Sequence, residues 1–356
     1  MTTAQPPGQG GAPAGAQTIE RPRLLAGTAR SMARLLAPFF TLILVFTLFA
    51  VIVPEQRFLS ARNLENLLVQ STVLAAAALG ATLVILAGGL DLSVGSTLAL
   101  SLVGLTAVLK AGDGMLRSEE LSAVLWPVIA VVAAMGLGVL VGLANGALVT
   151  WLRVGPFIVT LGMLQIVRGT AKGISGGQSI YTADSWLNPL LESVRIGDRQ
   201  WMLLPPGVWI VLLLALITAA ILRYTVLGRH IIAVGSNEDT ARLCGVRVKR
   251  VKIIVYSAAG LFAALAGVLQ FSYIGLGDPT TASGLELSVI AAVVIGGGSL
   301  RGGEGTILGT LCGAIIIAVL NAGGVQMGWP TWLQEVMTGA IIVGAVAIDR
   351  CRAPGR

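Results

Sequence analysis

A chain of 356 residues that is 55% hydrophobic and 12% charged, with a mean hydropathy of +0.86, carries about half of the roughly 25% charge usual in soluble domains, which excludes a soluble globular protein. Its net charge of +7 is concentrated in short segments between apolar runs, the distribution that membrane topology demands, so nucleic acid is not a partner. Cys244, Cys312 and Cys351 have neither paired nor metal-type spacing, which excludes a disulfide framework and a zinc site.

Residues 1–34 are rich in Gly, Ala, Pro and Gln and end in Arg21, Arg23, Arg30 and Arg34, a composition that predicts a disordered cytoplasmic tail. The apolar run after it is membrane-length and meets Pro54 and Glu55 instead of a small-residue cleavage site, so it reads as a retained span and not a signal peptide. Charge-free runs follow at 66–90, 92–109, 121–152, 200–222, 253–277 and 305–334, which with 35–54 approach or exceed the roughly 20 residues that cross the hydrocarbon layer. Shorter runs at 154–167, 287–300 and 336–348 either cross with charges snorkelling at their ends or are re-entrant. The expected fold is an all-α polytopic membrane protein with about eight to ten helical crossings. The domain plan is a membrane domain over 35–348, a cytoplasmic loop at 223–252 and a cytoplasmic tail over 349–356. With the N-terminus inside, ten crossings place 16 of the 24 Lys and Arg residues on the cytoplasmic side and seven outside, with Arg168 within a span. That bias obeys the positive-inside rule and puts both termini in the cytoplasm. Eight crossings with two re-entrant pieces would leave the ends in the same place.

Two places break an apolar helix at glycines and start another at once: 87–96, containing Gly88, Gly89, Asp91 and Ser93, and 295–305. Glycines there free backbone groups that lipid cannot satisfy, so the break must be buried in protein or face water. Asp91 and Ser93 stand where side chains would cap a helix beginning near Leu92, and an intramembrane acid is also a candidate solute contact. Gln165 and Asn145 could hydrogen-bond solute hydroxyls or neighbouring helices. Arg168, Glu286 and Glu335 are either pathway residues or snorkelling span ends. The outer segment 174–205, with Trp186 and Trp201, suits an interfacial belt. The 223–252 loop has seven basic residues against Glu238 and Asp239; it predicts a short amphipathic helix over 238–243, stopped by Gly245.

The string Gly88-Gly89-Leu90-Asp91-Leu92-Ser93-Val94-Gly95-Ser96 resembles the signature of binding-protein-dependent ABC permeases of the ribose, xylose and galactose type. Further resemblances follow in that family's order at 154–163, 233–246 and 290–313, so the likeness spans roughly 38–348. The longer N-terminal tail and Cys244 depart from the pattern and leave the subgroup open. The resemblance implies a bacterial inner-membrane translocation subunit for a sugar or sugar-like solute. It implies as partners an ABC ATPase, a periplasmic solute-binding protein and a second permease copy, as homodimer or heterodimer, within membrane lipid. It also implies that the 223–252 loop is the coupling helix for the ATPase, with Gly235, Asn237, Glu238, Ala241 and Gly245 matching, and that the outer segment receives the binding protein. No Gly-x-x-x-x-Gly-Lys-Ser/Thr phosphate cradle occurs in the chain, so it cannot be the motor itself, and the resemblance implies a translocation subunit and not an enzyme. No cofactor is expected on it, ATP and Mg being used by the partner. An ion-gradient-driven secondary transporter is the alternative, weakened because no charge lies in the middle of a long span. A lipid-modifying enzyme would need clustered His, Asp or Cys, whereas the chain has one His and scattered Cys.

Overall fold

The computed structural model describes residues 21–113, 120–152, 154–192 and 204–352. Arg153, Trp201, residues 1–20 of the expected N-terminal tail and 353–356 of the C-terminal tail lie outside the described residues. The first helix, α1 (Arg21–Ile52), begins well before the apolar run. Residues 21–34 of the expected tail are helical. Pro22 is preset for a first helical turn, and the Leu, Ala, Arg and Met residues after it are good helix formers.

A short 3-10 turn, Pro54–Leu59, folds back on α1 and puts Phe58 between Phe46 and Phe49, with ring centroids 5.4 and 5.8 Å away. Then come α2 (Ala61–Leu86), α3 (Val94–Ala111), α4 (Glu120–Leu152), α5 (Pro156–Ser175) and α6 (Pro206–Tyr224). Ser60 caps α2 by accepting from the Asn63 amide, and proline opens α5 and α6, where a missing N–H costs nothing. Two short helices, α7 (Val226–Ser236) and α8 (Glu238–Leu243), precede the long α9 (Val248–Ile274). The remainder is α10 (Leu285–Ile295), α11 (Ile307–Gln326) and α12 (Thr331–Arg352). The helices overrun the charge-free runs: α2 includes Arg62 and Glu65, and α9 takes Lys249, Arg250 and Lys252 into its first turns. A charge at a membrane surface does not end a helix; it only leaves the hydrocarbon.

Among the described residues, six helices are long and apolar enough to cross a membrane: α2, α3, α4, α6, α9 and α11. The all-α polytopic expectation therefore holds, with one small exception. Strands β1 (Ile180–Tyr181) and β2 (Leu276–Gly277) pair antiparallel, Ile180 opposite Gly277 and Tyr181 opposite Leu276. They tie the segment after α5 to the turn after α9.

Helix α2 is the hub, buried over most of its length and packed against α6, α9, α10 and α11. Lipid offers no hydrophobic drive between helices, so small residues set the closest contacts. Gly138, Gly142 and Gly146 form one ridge of α4, and a methyl on any of them would strike the backbone of α9 at Gly260, Tyr256 or Ile253. Between α2 and α11, Thr82 and Thr310 share a hydrogen bond of 2.8 Å between fully buried hydroxyls.

Candidate functional site

The chain after α2 leaves the helix at Ala87 and turns through Gly88, whose φ of +73° a side chain would strain. Helix α3 begins at Val94, two residues later than the sequence suggests. Ser93 stands at its N-cap, but its side chain makes no cap bond. The Ser93 hydroxyl instead donates to Asp91 Oδ1 at 2.6 Å and accepts from Asn145 Nδ2 on α4 at 2.8 Å. The Ser93 amide also donates to Asp91 Oδ1, at 2.8 Å. Two further helices reach the same turn, since Thr160 Oγ1 on α5 and Tyr256 OH on α9 both donate to the Leu90 carbonyl at 3.3 Å. Asp91, Ser93 and Asn145 are all buried. One broken segment is thus held by side chains from α4, α5 and α9, as a break at membrane depth requires. Asn145 Oδ1 is left buried without a partner.

The second break lies directly against the first. Helix α10 ends at Gly296, and the chain passes through Gly302 and Gly303, with φ of +89° and +77°, before Thr306 caps α11. The Gly303 amide donates to the Leu86 carbonyl at 2.9 Å. Gly235, near the end of α7, is wedged between them: a methyl there would overlap the Leu86 carbonyl and press on the Gly303 amide. The two glycine-rich segments that share little in sequence therefore meet at one junction, with the loop that holds α7 and α8 as the third member.

Asn237 Oδ1 accepts from the Thr240 amide at 2.8 Å and caps α8, which spans the residues expected of it. Glu238 bridges Arg242 Nη2 at 2.8 Å and Lys252 Nζ at 2.6 Å, tying α8 to the base of α9. Ala241 is buried, and Gly245 adopts φ +83° as the amides of Gly245 and Val246 close on the carbonyls of Arg242 and Ala241. These residues build the loop from within. The apolar side chain presented outward is Leu243, 89% exposed. Sequence reasoning passed it over because an apolar residue in an amphipathic helix reads as its buried side.

Arg168 on α5 is buried, and its guanidinium donates to the carbonyls of Pro279 at 3.0 Å, Thr281 at 2.6 Å and Ala282 at 3.4 Å. It is a staple on the turn between β2 and α10. Ala282 is held there at φ +59°, and Glu286 Oε2 faces Gly95 of α3, buried with no hydrogen-bond partner. Gln165 lies one turn away on the exposed side of α5 and joins none of these groups. At the end of α9, Ser272 Oγ accepts from the Leu191 amide at 2.7 Å and donates to the Asn188 carbonyl at 2.6 Å, which orders the segment near Trp186. Among the described residues no three His, Cys, Asp or Glu side chains converge as a metal ion would require.

Residues 63–346 match the family described as the permease component of branched-chain amino acid transport systems. The ribose import permease protein of Escherichia coli strain K12 is 39% identical over 292 residues, covering 82% of this chain and 87% of that protein. The ribose import permease protein of Bacillus subtilis strain 168 is 36% identical over 315 residues, covering 88% and 92%. The autoinducer 2 import system permease protein of Photorhabdus luminescens is 34% identical over 310 residues, covering 86% and 88%. These are relatives of the kind that the four ordered motifs suggest. No solved structure matches the chain.

Proposed function

This chain belongs to the family of transport-system permease components, a multi-pass inner-membrane protein that is the translocation subunit of an ABC importer and not an enzyme, and we propose that its cargo is a sugar or sugar-like solute. The family description names branched-chain amino acids, whereas the relatives alike over most of their length are named for ribose and autoinducer 2 import. Identity of 34–39% to individual relatives is a closer guide than a family description, and it supports the sugar reading.

The family implies a separate ABC ATPase and a solute-binding protein as partners. In our reading α7 and α8 couple to that ATPase, and Leu243 is the side chain set into it. The observation that carries this reading is Gly235, seated against the Leu86 carbonyl and the Gly303 amide. A push on the cytoplasmic loop meets both helix breaks at once, with no side chain between to absorb it. We read α1, α5, α10 and α12 as crossing along with the six long apolar helices, which makes ten spans with both ends cytoplasmic, within membrane lipid. Helix α10, with 11 residues, is only about 16 Å long at 1.5 Å per residue, about half of the layer, so it completes its crossing through the glycine segment. Two copies would flank the pathway, and the outer segment held by β1 and β2 would receive the binding protein. ATP and Mg would bind the ATPase alone.

Proteoliposomes holding the permease, its ATPase and its binding protein test the reading. D-ribose uptake should require ATP and the binding protein and persist with an uncoupler. Uptake that collapses with the uncoupler at constant ATP would make the chain a gradient-driven transporter, and uptake of L-leucine in place of ribose would overturn the cargo.

A further inference from the structure

We propose that the turn between α10 and α11, residues 299–305, is a second docking surface for the ABC ATPase beside α8, with Arg301 facing an acidic side chain of that partner; this rests on the reading of α7 and α8 as the coupling elements. The turn is pressed onto the end of α7. A side chain at Gly302 would strike the Gly235 carbonyl and the backbone of Gly88, and one at Gly303 would strike Ser236. The turn is also closed on itself: the Ser299 amide donates to the Glu304 carbonyl at 2.9 Å, and the Gly302 amide to the Ser299 carbonyl at 3.0 Å. Its contact with Ser236 puts it on the same side of the membrane as α8, and both Arg301 and Glu304 are exposed.

Area makes α8 too small to be the whole contact. Its six residues span about 9 Å at 1.5 Å per residue, on a rod about 10 Å wide. A stable protein–protein contact covers about 800 Å² on each partner, a patch about 30 Å across. An ATPase seated on Leu243 must therefore rest on whatever borders α8. Two neighbours qualify. The first turns of α9 are tied to α8 by the bridge from Glu238 to Lys252, and the 299–305 turn abuts Ser236, two residues before α8 begins.

Both neighbours carry exposed positive charge, Arg247, Lys249 and Arg250 on the α9 side and Arg301 on the turn. Acidic residues around the pocket that takes Leu243 would complement this surface, and such rim charges fix the approach and register of a partner. Anionic lipid headgroups would also attract Arg301, but the exposed Glu304 in the same turn repels them, whereas a protein face can match both signs. The turn adds what α9 does not. Its Gly303 amide is bonded to the Leu86 carbonyl, so a motor that touches Arg301 holds the α10–α11 break directly as well as through Gly235.

The test uses the complete complex of permease, ATPase and binding protein in proteoliposomes. In a chain with Cys244, Cys312 and Cys351 replaced by alanine, Leu243→Cys and Arg301→Cys are each labelled with a benzophenone maleimide, assembled until the ATPase co-purifies, and illuminated. Both should form a covalent adduct with the ATPase. An ATPase adduct from Leu243→Cys but none from Arg301→Cys, which would then label lipid, overturns the second surface and leaves the coupling loop in place. An adduct from Arg301→Cys alone upholds the second surface and removes Leu243 from the contact, and an adduct from neither ends both readings. Arg301→Glu should weaken ATPase binding about fivefold at low salt, the size of a rim ion pair. The difference should shrink in about 1 M salt, where charges are screened beyond about 3 Å. Wild-type affinity of Arg301→Glu at low salt would overturn the charge match and the proposal with it.

Discussion

The amide of Gly303 donates to the carbonyl of Leu86 at 2.9 Å, so the segment between α10 and α11 is hydrogen-bonded to the last residue of α2. Gly235 fills the remaining space beside that bond. Motion imposed on α7 has a direct backbone route to both places where membrane helices are interrupted.

Gly235→Ala tests that route. Its methyl overlaps the Leu86 carbonyl, and overpacking of this kind costs about 1–3 kcal/mol. The variant should insert and still bind the ATPase, but import several-fold less solute per ATP hydrolysed. The ratio of ribose uptake to phosphate release measures this, and a wild-type ratio would remove the junction from the coupling route.

Asp91→Ala should destabilise the permease more than Asp91→Asn. Alanine leaves the amide and hydroxyl of Ser93 without their acceptor in a buried site, a loss of about 1–3 kcal/mol, whereas asparagine keeps one acceptor oxygen. Thermal midpoints of purified protein in detergent report the order. Equal midpoints would mean that the Asp91–Ser93–Asn145 network does not hold the break.

Glu238→Gln removes the bridge to Lys252, whose partners are 39% and 18% exposed, so only about 0.2–1 kcal/mol of stability is at stake. Gly245→Val puts a β-branched residue at φ +83°, where the left-handed backbone costs about 1–2 kcal/mol. Both lie in the short loop between α6 and α9, and both should leave insertion intact while ATP-dependent uptake falls. Vesicles that keep full uptake with either change would contradict the assignment of this loop to coupling.

Arg168→Lys should behave like Arg168→Met. Three carbonyls share one planar guanidinium, and an ammonium, being a compact point donor, cannot span them. Amide hydrogen exchange over 275–284 should speed up in both variants. Lysine that restored wild-type protection would mean that charge, and not the fork, holds the turn.

Much of the architecture was legible because lipid leaves the chain so few options. Apolar length located the helices, and positive φ at Gly88 and Gly245 had a readable cause in glycine itself. The ends of α1, α2 and α9 were misplaced because charge content marks where hydrocarbon stops and not where hydrogen bonding along the helix stops. The site was legible only in pieces. Asp91 and Ser93 adjoin in sequence, but Asn145, Thr160 and Tyr256 reach that turn from three other helices, and no local pattern records that convergence. Asn237 and Glu238 were named through the family resemblance, yet their side chains are occupied by Thr240, Arg242 and Lys252. Arg168 read as a pathway residue or a span end because its three acceptors, more than a hundred residues away, are backbone carbonyls that any sequence would supply.

The glycine ridge of α4 against α9 also governs what can move. Where Gly138, Gly142 and Gly146 meet the partner backbone without intervening side chains, the pair has no soft layer in which to slide, and parting it would open a void that lipid tails are too thick to fill. The two helices are therefore packed to behave as a single strut.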